Sequence, residues 1–237
     1  MKPFFRIIVG YISQFSGVIV GIYAIYIFFN ARNLKLVLTK EWKVLTIFFI
    51  IRPLFDIWAN FVYNIIPSLA LVMQPYLRIG AHLYTWVELL VYVYIFTVWQ
   101  VQGTVTNVLR WSVIVLFFSF SLTMKICEVE PLTEFDSLSV LAENFMVMLL
   151  GIFSLSHHVN RSLIPPHENP HFIVNMAVVM GSILYIFVSA LYARFPELTI
   201  AFPAINTCVN MCFVYALYQL NRYMKRFNKS IGESWHD

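Results

Sequence analysis

Seven long apolar stretches alternate with short polar ones along the chain, at residues 4–29, 42–66, 76–99, 108–126, 137–157, 172–192 and 198–218. Each is close to the ~20 apolar residues that a helix needs to cross hydrocarbon. None is expected to be a strand, because an open sheet leaves backbone groups unpaired in lipid. The pattern predicts an all-α, polytopic membrane protein. Residues 1–237 form one seven-transmembrane-helix bundle, its last helix continuing past the membrane toward Phe227.

The second stretch breaks its own apolar pattern. In "IIRPLFDIWANFVYN" the polar residues Arg52, Asp56, Asn60 and Asn64 follow one another at intervals of four. On a helix, positions four apart lie almost above one another, so the four form one slowly drifting stripe. Lipid cannot solvate such a stripe, which must face the bundle interior or a wet cavity. Arg52 and Asp56 are spaced to pair within the helix. Pro53 removes one backbone hydrogen bond there. Other helices carry polar groups at similar depths: Glu88 in the third, Glu143 and Asn144 in the fifth, Asn206 and Asn210 in the seventh. Three acids then face one arginine. Such a core holds a proton on one carboxyl or takes up a cation, and Glu88, with no charged partner on its own helix, is the first candidate. The expected ligand- or ion-binding set is Arg52, Asp56, Asn60, Glu88, Glu143, Asn144, Asn206 and Asn210. The alternative is that the polar groups only fix the order of the helices.

Composition strengthens the membrane reading. Hydrophobic residues make up 60% of the 237 and charged residues only 12%, against roughly 25% charged in soluble domains. Little charged material is left for a soluble domain. Basic residues near the helix ends set the orientation. With the N-terminus outside, Arg32, Lys35, Lys40, Lys43, Arg110, Arg161, Arg222, Lys225, Arg226 and Lys229 fall inside, and Lys2, Arg6, Arg78, Lys125 and Arg194 outside. The bias predicts N-out, C-in. The first apolar run is too long for a signal peptide and lacks a small-residue exit, so it is the first membrane helix.

Lesser features have plain readings. Ser13, Gly17 and Gly21 place small residues on one face of the first helix, suited to packing inside the bundle or to a homodimer. Cys208 and Cys212, four apart, read as apolar filler in helix packing. Asn169 before Pro170 reads as a helix N-cap with proline at the first helical position. The acidic connection "KICEVEPLTEFDS" reads as a solvated cap. His157, His158, His167 and His171 flank the fifth connection without a recognised metal-ligand spacing. No phosphate loop, nucleophile elbow or HExxH is present, and no lysine at the middle of helix seven can carry a retinal. No catalytic residue, cofactor, metal or nucleic acid is expected; the lipid bilayer is the one general partner.

The stretches "YTWVELLVYVYIF" and "ENPHFIVNMAVVMGSILYIFVSAL", with the exit "INTCVNMCFVYALYQLNRYMK", give a layout similar to bacterial seven-transmembrane sensor modules, which precede histidine kinase or cyclase domains. The resemblance implies a receptor-like module of the bacterial inner membrane. It would bind a small ligand or ion in an outer-half polar pocket. With the sequence stopping at Asp237, a separate signalling protein would supply the output. Two other readings stand beside it, a small proton- or ion-coupled transporter or channel, and a membrane-complex scaffold. A transporter needs a wet path to both faces, a receptor a pocket closed on the inside, and a scaffold a filled core with every polar group paired.

Overall fold

The computed structural model describes residues 3–33, 38–65, 67–99, 104–127, 129, 137–161, 164–192 and 194–233; within these, the side chains of 3–7, 33, 56, 58–65, 67–75, 77, 137, 157–161, 196 and 227–233 lie outside the description. Among the described residues all regular structure is helical: α1 (Pro3–Asn33), α2 (Lys40–Ile65), α3 (Pro67–Val98), α4 (Thr104–Ile126), α5 (Ser137–Arg161), α6 (Pro170–Tyr192) and α7 (Ala201–Glu233), with a short 3₁₀ turn, Pro196–Ile200, leading into α7. Among the described residues, six of the helices are long and apolar enough to cross a membrane. Large apolar side chains also point outward, among them Phe15, Trp111 and Phe187. A soluble protein hides such groups, whereas lipid accepts them. The chain is an integral, multi-pass helical membrane protein.

Helix ends follow local chemistry. Proline opens α1, α3 and α6, where its missing N–H is harmless. Before α6 the Asn169 side-chain oxygen accepts from the backbone N–H groups of His171 (3.0 Å) and Phe172 (3.4 Å), the N-cap expected from sequence. One boundary moves well beyond its expected place: helix α3 begins at Pro67 rather than near 76, so Gln74 and Pro75 fall inside it. Helix α7 continues past residue 218 as expected and runs to Glu233. Hydropathy marks the part of a helix that suits lipid, while the backbone hydrogen bonds run on through polar residues.

The helices form a closed ring in the order α1, α2, α3, α5, α6, α7 and back to α1, with α4 outside it against α3 and α5. Polar side chains tie α4 on. The Trp86 indole donates to Ser121 (3.0 Å), Ser121 lies 3.2 Å from Ser139 on α5, and Arg110 donates to Thr97 (2.8 Å).

Small residues set the closest approaches. The Phe49 carbonyl is the one that Pro53, four residues on, cannot bond. A Cβ on Gly21 would lie 3.3 Å from that oxygen and 2.9 Å from Pro53 Cγ. Gly17 faces Pro53 and Asn210, and Ser16 Oγ accepts from the Asn210 amide at 2.9 Å. The small-residue face that includes Gly17 and Gly21 is therefore taken up inside the chain, against α2 and α7. This is the packing inside the bundle expected of Gly17 and Gly21 from sequence. The expectation for Cys208 and Cys212 is corrected. They lie exposed on the outer side of α7, because Val209, Phe213 and Leu217 set its inward face.

A Cβ on Gly151 of α5 would collide with the Val179 side chain of α6. Leucine is the better helix former by roughly 1 kcal/mol, but Val179 is β-branched and cannot swing aside. Overpacking of this kind costs about 1–3 kcal/mol, and a side chain larger than one Cβ sits at the upper end. Gly151→Leu is expected to lose about 1–2 kcal/mol net, read as a lower unfolding midpoint in a denaturing-detergent titration. An unchanged midpoint would contradict the close α5–α6 approach.

Candidate functional site

A polar recess of about 280 Å³ opens within the ring, walled by α2, α3, α5, α6 and α7. Helical spacing explains the walls. Ala81, Thr85, Glu88 and Tyr92 repeat at three- and four-residue intervals on α3, as do Val140, Glu143, Asn144 and Val147 on α5, so each set lies on one face. Arg52 comes from α2, Ser182 and Tyr185 from α6 and Asn206 from α7. A smaller recess of about 70 Å³ shares Arg52, Glu88, Asn144 and Asn206 and extends between α6 and α7.

Across the recess Arg52 Nη1 lies 3.9 Å from Glu88 Oε1. That distance joins the charges but exceeds a hydrogen bond. Tyr92 interacts with Glu88 and lies in the fields of Arg52 and Glu143. Glu143 is only 5% exposed. The Asn144 amide donates to the Val140 carbonyl (2.8 Å), which turns its own oxygen into the available acceptor, and Thr85 donates to the Ala81 carbonyl (3.1 Å). The lining thus holds one guanidinium, two carboxyls, amides, hydroxyls and three tyrosines. It suits a small polar ligand better than an acyl chain.

Five of the residues expected from sequence meet here: Arg52, Glu88, Glu143, Asn144 and Asn206. Asn210 does not. It is buried between α7 and α1 on Ser16, because four residues carry the position about 6 Å along the helix and 40° around it. The Asp56, Asn60 and Asn64 side chains, and with them the expected intrahelical Arg52–Asp56 pair, lie outside the described residues. Arg52 reaches across to Glu88 on α3. Tyr84 and Tyr92 were missed in sequence although they flank Glu88 one turn away on each side. Ser182 and Tyr185 sit in an apolar run of α6 and gave no signal.

The recess lies toward one end of the bundle. Asn206 is five residues from the start of α7 and Glu143 six from the start of α5. Toward the opposite end α2, α3, α5 and α7 present large apolar side chains, while α6 and α5 also carry the buried Asn175–Ser154 hydrogen bond (3.0 Å). Phe49, Leu89, Val93, Phe96, Leu150 and Phe213 are all at most 1% exposed, and the Phe49 and Phe213 rings are 4.6 Å apart. These residues form a packed floor.

Beyond the floor, at the other end, polar contacts lock α7 to its neighbours. Asn30 donates to Asn221 (2.7 Å), Tyr215 donates to the His167 carbonyl (3.0 Å), and Arg222 pairs with Glu168 (3.6 Å). The Trp42 indole donates to His171 Nε2 (2.9 Å), with Trp99 edge-on to the same imidazole. Among the described residues no group of three or more His, Cys, Asp or Glu is placed to hold a metal ion. His157 and His158 lie outside the described side chains.

No protein-family model, no curated protein and no solved structure matches the chain.

Proposed function

We propose that this protein is a receptor-like sensor module of a bacterial inner membrane, spanning it seven times with the N-terminus outside and the C-terminus in the cytoplasm. A small ligand or ion enters the polar recess from the outer side. Binding shifts the helices around it, and α7 carries the shift to a separate signalling partner on the cytoplasmic side. The observation that carries this reading is a polar recess on one side of a floor of buried, packed aromatic and aliphatic side chains. A transporter needs a path to both faces, and a scaffold has no use for an open polar recess.

The anatomy of α7 supports the output. Asn206 on the recess and Arg222 beyond the floor are sixteen residues apart on one continuous helix, or about 24 Å. A rigid helix transmits a tilt or rotation over that length. The Arg222–Glu168 and Tyr215–His167 contacts couple its far end to the connection before α6. A basic helical end, with Arg222, Lys225 and Arg226, meets anionic lipid heads or an acidic partner surface.

Accessibility tests both the orientation and the closed floor. With Cys127, Cys208 and Cys212 replaced by alanine, Asn206→Cys is expected to react with a membrane-impermeant maleimide in intact spheroplasts and not in inverted vesicles. Arg226→Cys is expected to react in the opposite pattern. Reaction of Asn206→Cys from both sides would replace the receptor by a transporter; reaction only in inverted vesicles would reverse the topology.

A further inference from the structure

We infer that an apolar groove between α4 and α5 is a lipid site, which holds an acyl chain of a bilayer phospholipid lengthwise from the start of α4 toward mid-membrane. The groove is separate from the polar recess, and what the recess binds does not enter the inference.

The groove follows from the place of α4 outside the ring. Near one end α4 and α5 are joined, where Ser121 lies 3.2 Å from Ser139. At the other end Arg110 bonds Thr97 and so holds α4 to α3, not to α5. Between α4 and α5 the facing side chains line a groove of about 430 Å³, from Val105 to Leu116 on α4 and from Phe145 to Phe153 on α5. The lining positions repeat at three- and four-residue intervals, so each wall is one helix face.

Chemistry and length select the occupant. Every lining side chain is valine, leucine, methionine or phenylalanine. Such walls return no hydrogen bond to a polar ligand that gives up its water, whereas hydrocarbon needs none. Val105 and Leu116 are eleven residues apart, about 16 Å of helix. That is close to half of the ~30 Å hydrocarbon core, the depth of one leaflet. With the N-terminus outside, it is the cytoplasmic leaflet.

The rim joins the groove to the lipid-facing surface. Val105, Leu116, Phe145 and Leu149 are exposed, as are Val108 and Trp111 beside them on α4, while Leu150 at the bottom is buried. Lipid covers this surface, and an unfilled groove would forfeit the dispersion contacts of its lining. A transmembrane helix of a second copy fits the walls less well. Close helix packing uses glycine, alanine or serine on the approaching face, and these walls carry none of them. A flexible acyl chain conforms to large side chains, and Met146 adapts to it. Leu150 belongs both to the groove and to the floor beneath the recess. An acyl chain here packs behind that floor and fills the gap between α4 and α5.

The experiment combines native mass spectrometry with thermal unfolding of the purified full chain in a steroid-based detergent, which has no alkyl chain to compete. The washed wild type is expected to retain a single phospholipid. Dioleoylphosphatidylglycerol and dioleoylphosphatidylethanolamine, added back to lipid-stripped protein, are expected to raise the midpoint saturably and with similar affinities. Glycerophosphoglycerol, a head group without acyl chains, should leave it flat. Leu149→Trp places an indole in the groove from an exposed position. By displacing two or three methylene groups it is expected to weaken the apparent affinity about tenfold. Leu116→Trp, from the opposite wall, should do the same if the first variant fails to fold. Phe187→Trp, on the exposed side of α6, should match the wild type. Equal lipid retention by the groove variants and the wild type means surrounding lipid only and overturns the site. A saturable shift from glycerophosphoglycerol overturns the acyl-chain assignment. A dimer that Leu149→Trp dissociates gives the groove to a second copy and overturns the lipid. No retained phospholipid together with no saturable shift also overturns the inference.

Discussion

Arg52→Met is expected to lower stability by about 3–5 kcal/mol, and Arg52→Met combined with Glu88→Met to lose much less. Removing one partner of a buried ion pair strands the other charge in low dielectric, and that stranding is the main cost. Replacing both by apolar groups of similar size removes the bridge and the stranded charge together. The geometry fits this case: the two side chains are 17% and 18% exposed and 3.9 Å apart, on different helices. A competing magnitude exists. Interhelical polar contacts in membranes average about 0.6 kcal/mol in double-mutant cycles. A four-variant cycle in a denaturing-detergent titration separates the two. If either single variant loses under about 1 kcal/mol, with additive losses in the double variant, the Arg52–Glu88 bridge is a wet contact and the recess is hydrated down to its charged wall.

Phe213→Ala is the second large effect. The ring is fully buried, 4.6 Å from Phe49, in the floor between the recess and the opposite end. Truncating a buried phenylalanine costs about 3–5 kcal/mol, the larger part where the surroundings cannot close over the cavity. Here Phe49 of α2 and the two helices packed on α7, namely α1 and α6, hold the gap open. The same substitution thins the barrier beneath the recess. Asn206→Cys, labelled only from outside in the parent, is expected to stay one-sided in Phe213→Ala at low temperature and to become accessible from both sides near the lowered midpoint. A stability loss under about 1 kcal/mol would mean that the floor is loosely packed and able to part. That outcome would shift the functional reading toward transport.

The class of protein is legible in the sequence because hydrophobicity and helical period are local. Apolar stretches of membrane length, the Asn169-Pro170 cap and the mid-depth positions of Arg52, Glu88 and Glu143 follow from the residues themselves and their spacing. The helix ends are less legible, as the start of α3 shows, because backbone hydrogen bonding passes through residues that hydropathy excludes.

Which groups meet is a different kind of fact. The four-residue spacing points Arg52 along its own helix to Asp56; its approach to Glu88 is across to α3, a helix whose rotation no single stretch encodes. Asn206 and Asn210 look equivalent in "INTCVNMC", but one lines the recess and the other bonds Ser16, since each faces a different neighbour around α7. Gly17 and Gly21 read from sequence as internal packing or a dimer face, and which neighbours they meet, Pro53 and Asn210 against Gly17 and Pro53 against Gly21, is seen only in the fold. The sequence by itself determined a helical membrane bundle with polar groups it cannot leave in lipid. Only the tertiary structure decided that α4 stands outside the ring, that five of those groups converge on one recess, and that an apolar floor closes it. Spacing along one helix is set by covalent geometry, whereas contact between helices depends on ring order, rotation and close approach, which the small residues and the packed aromatics fix together.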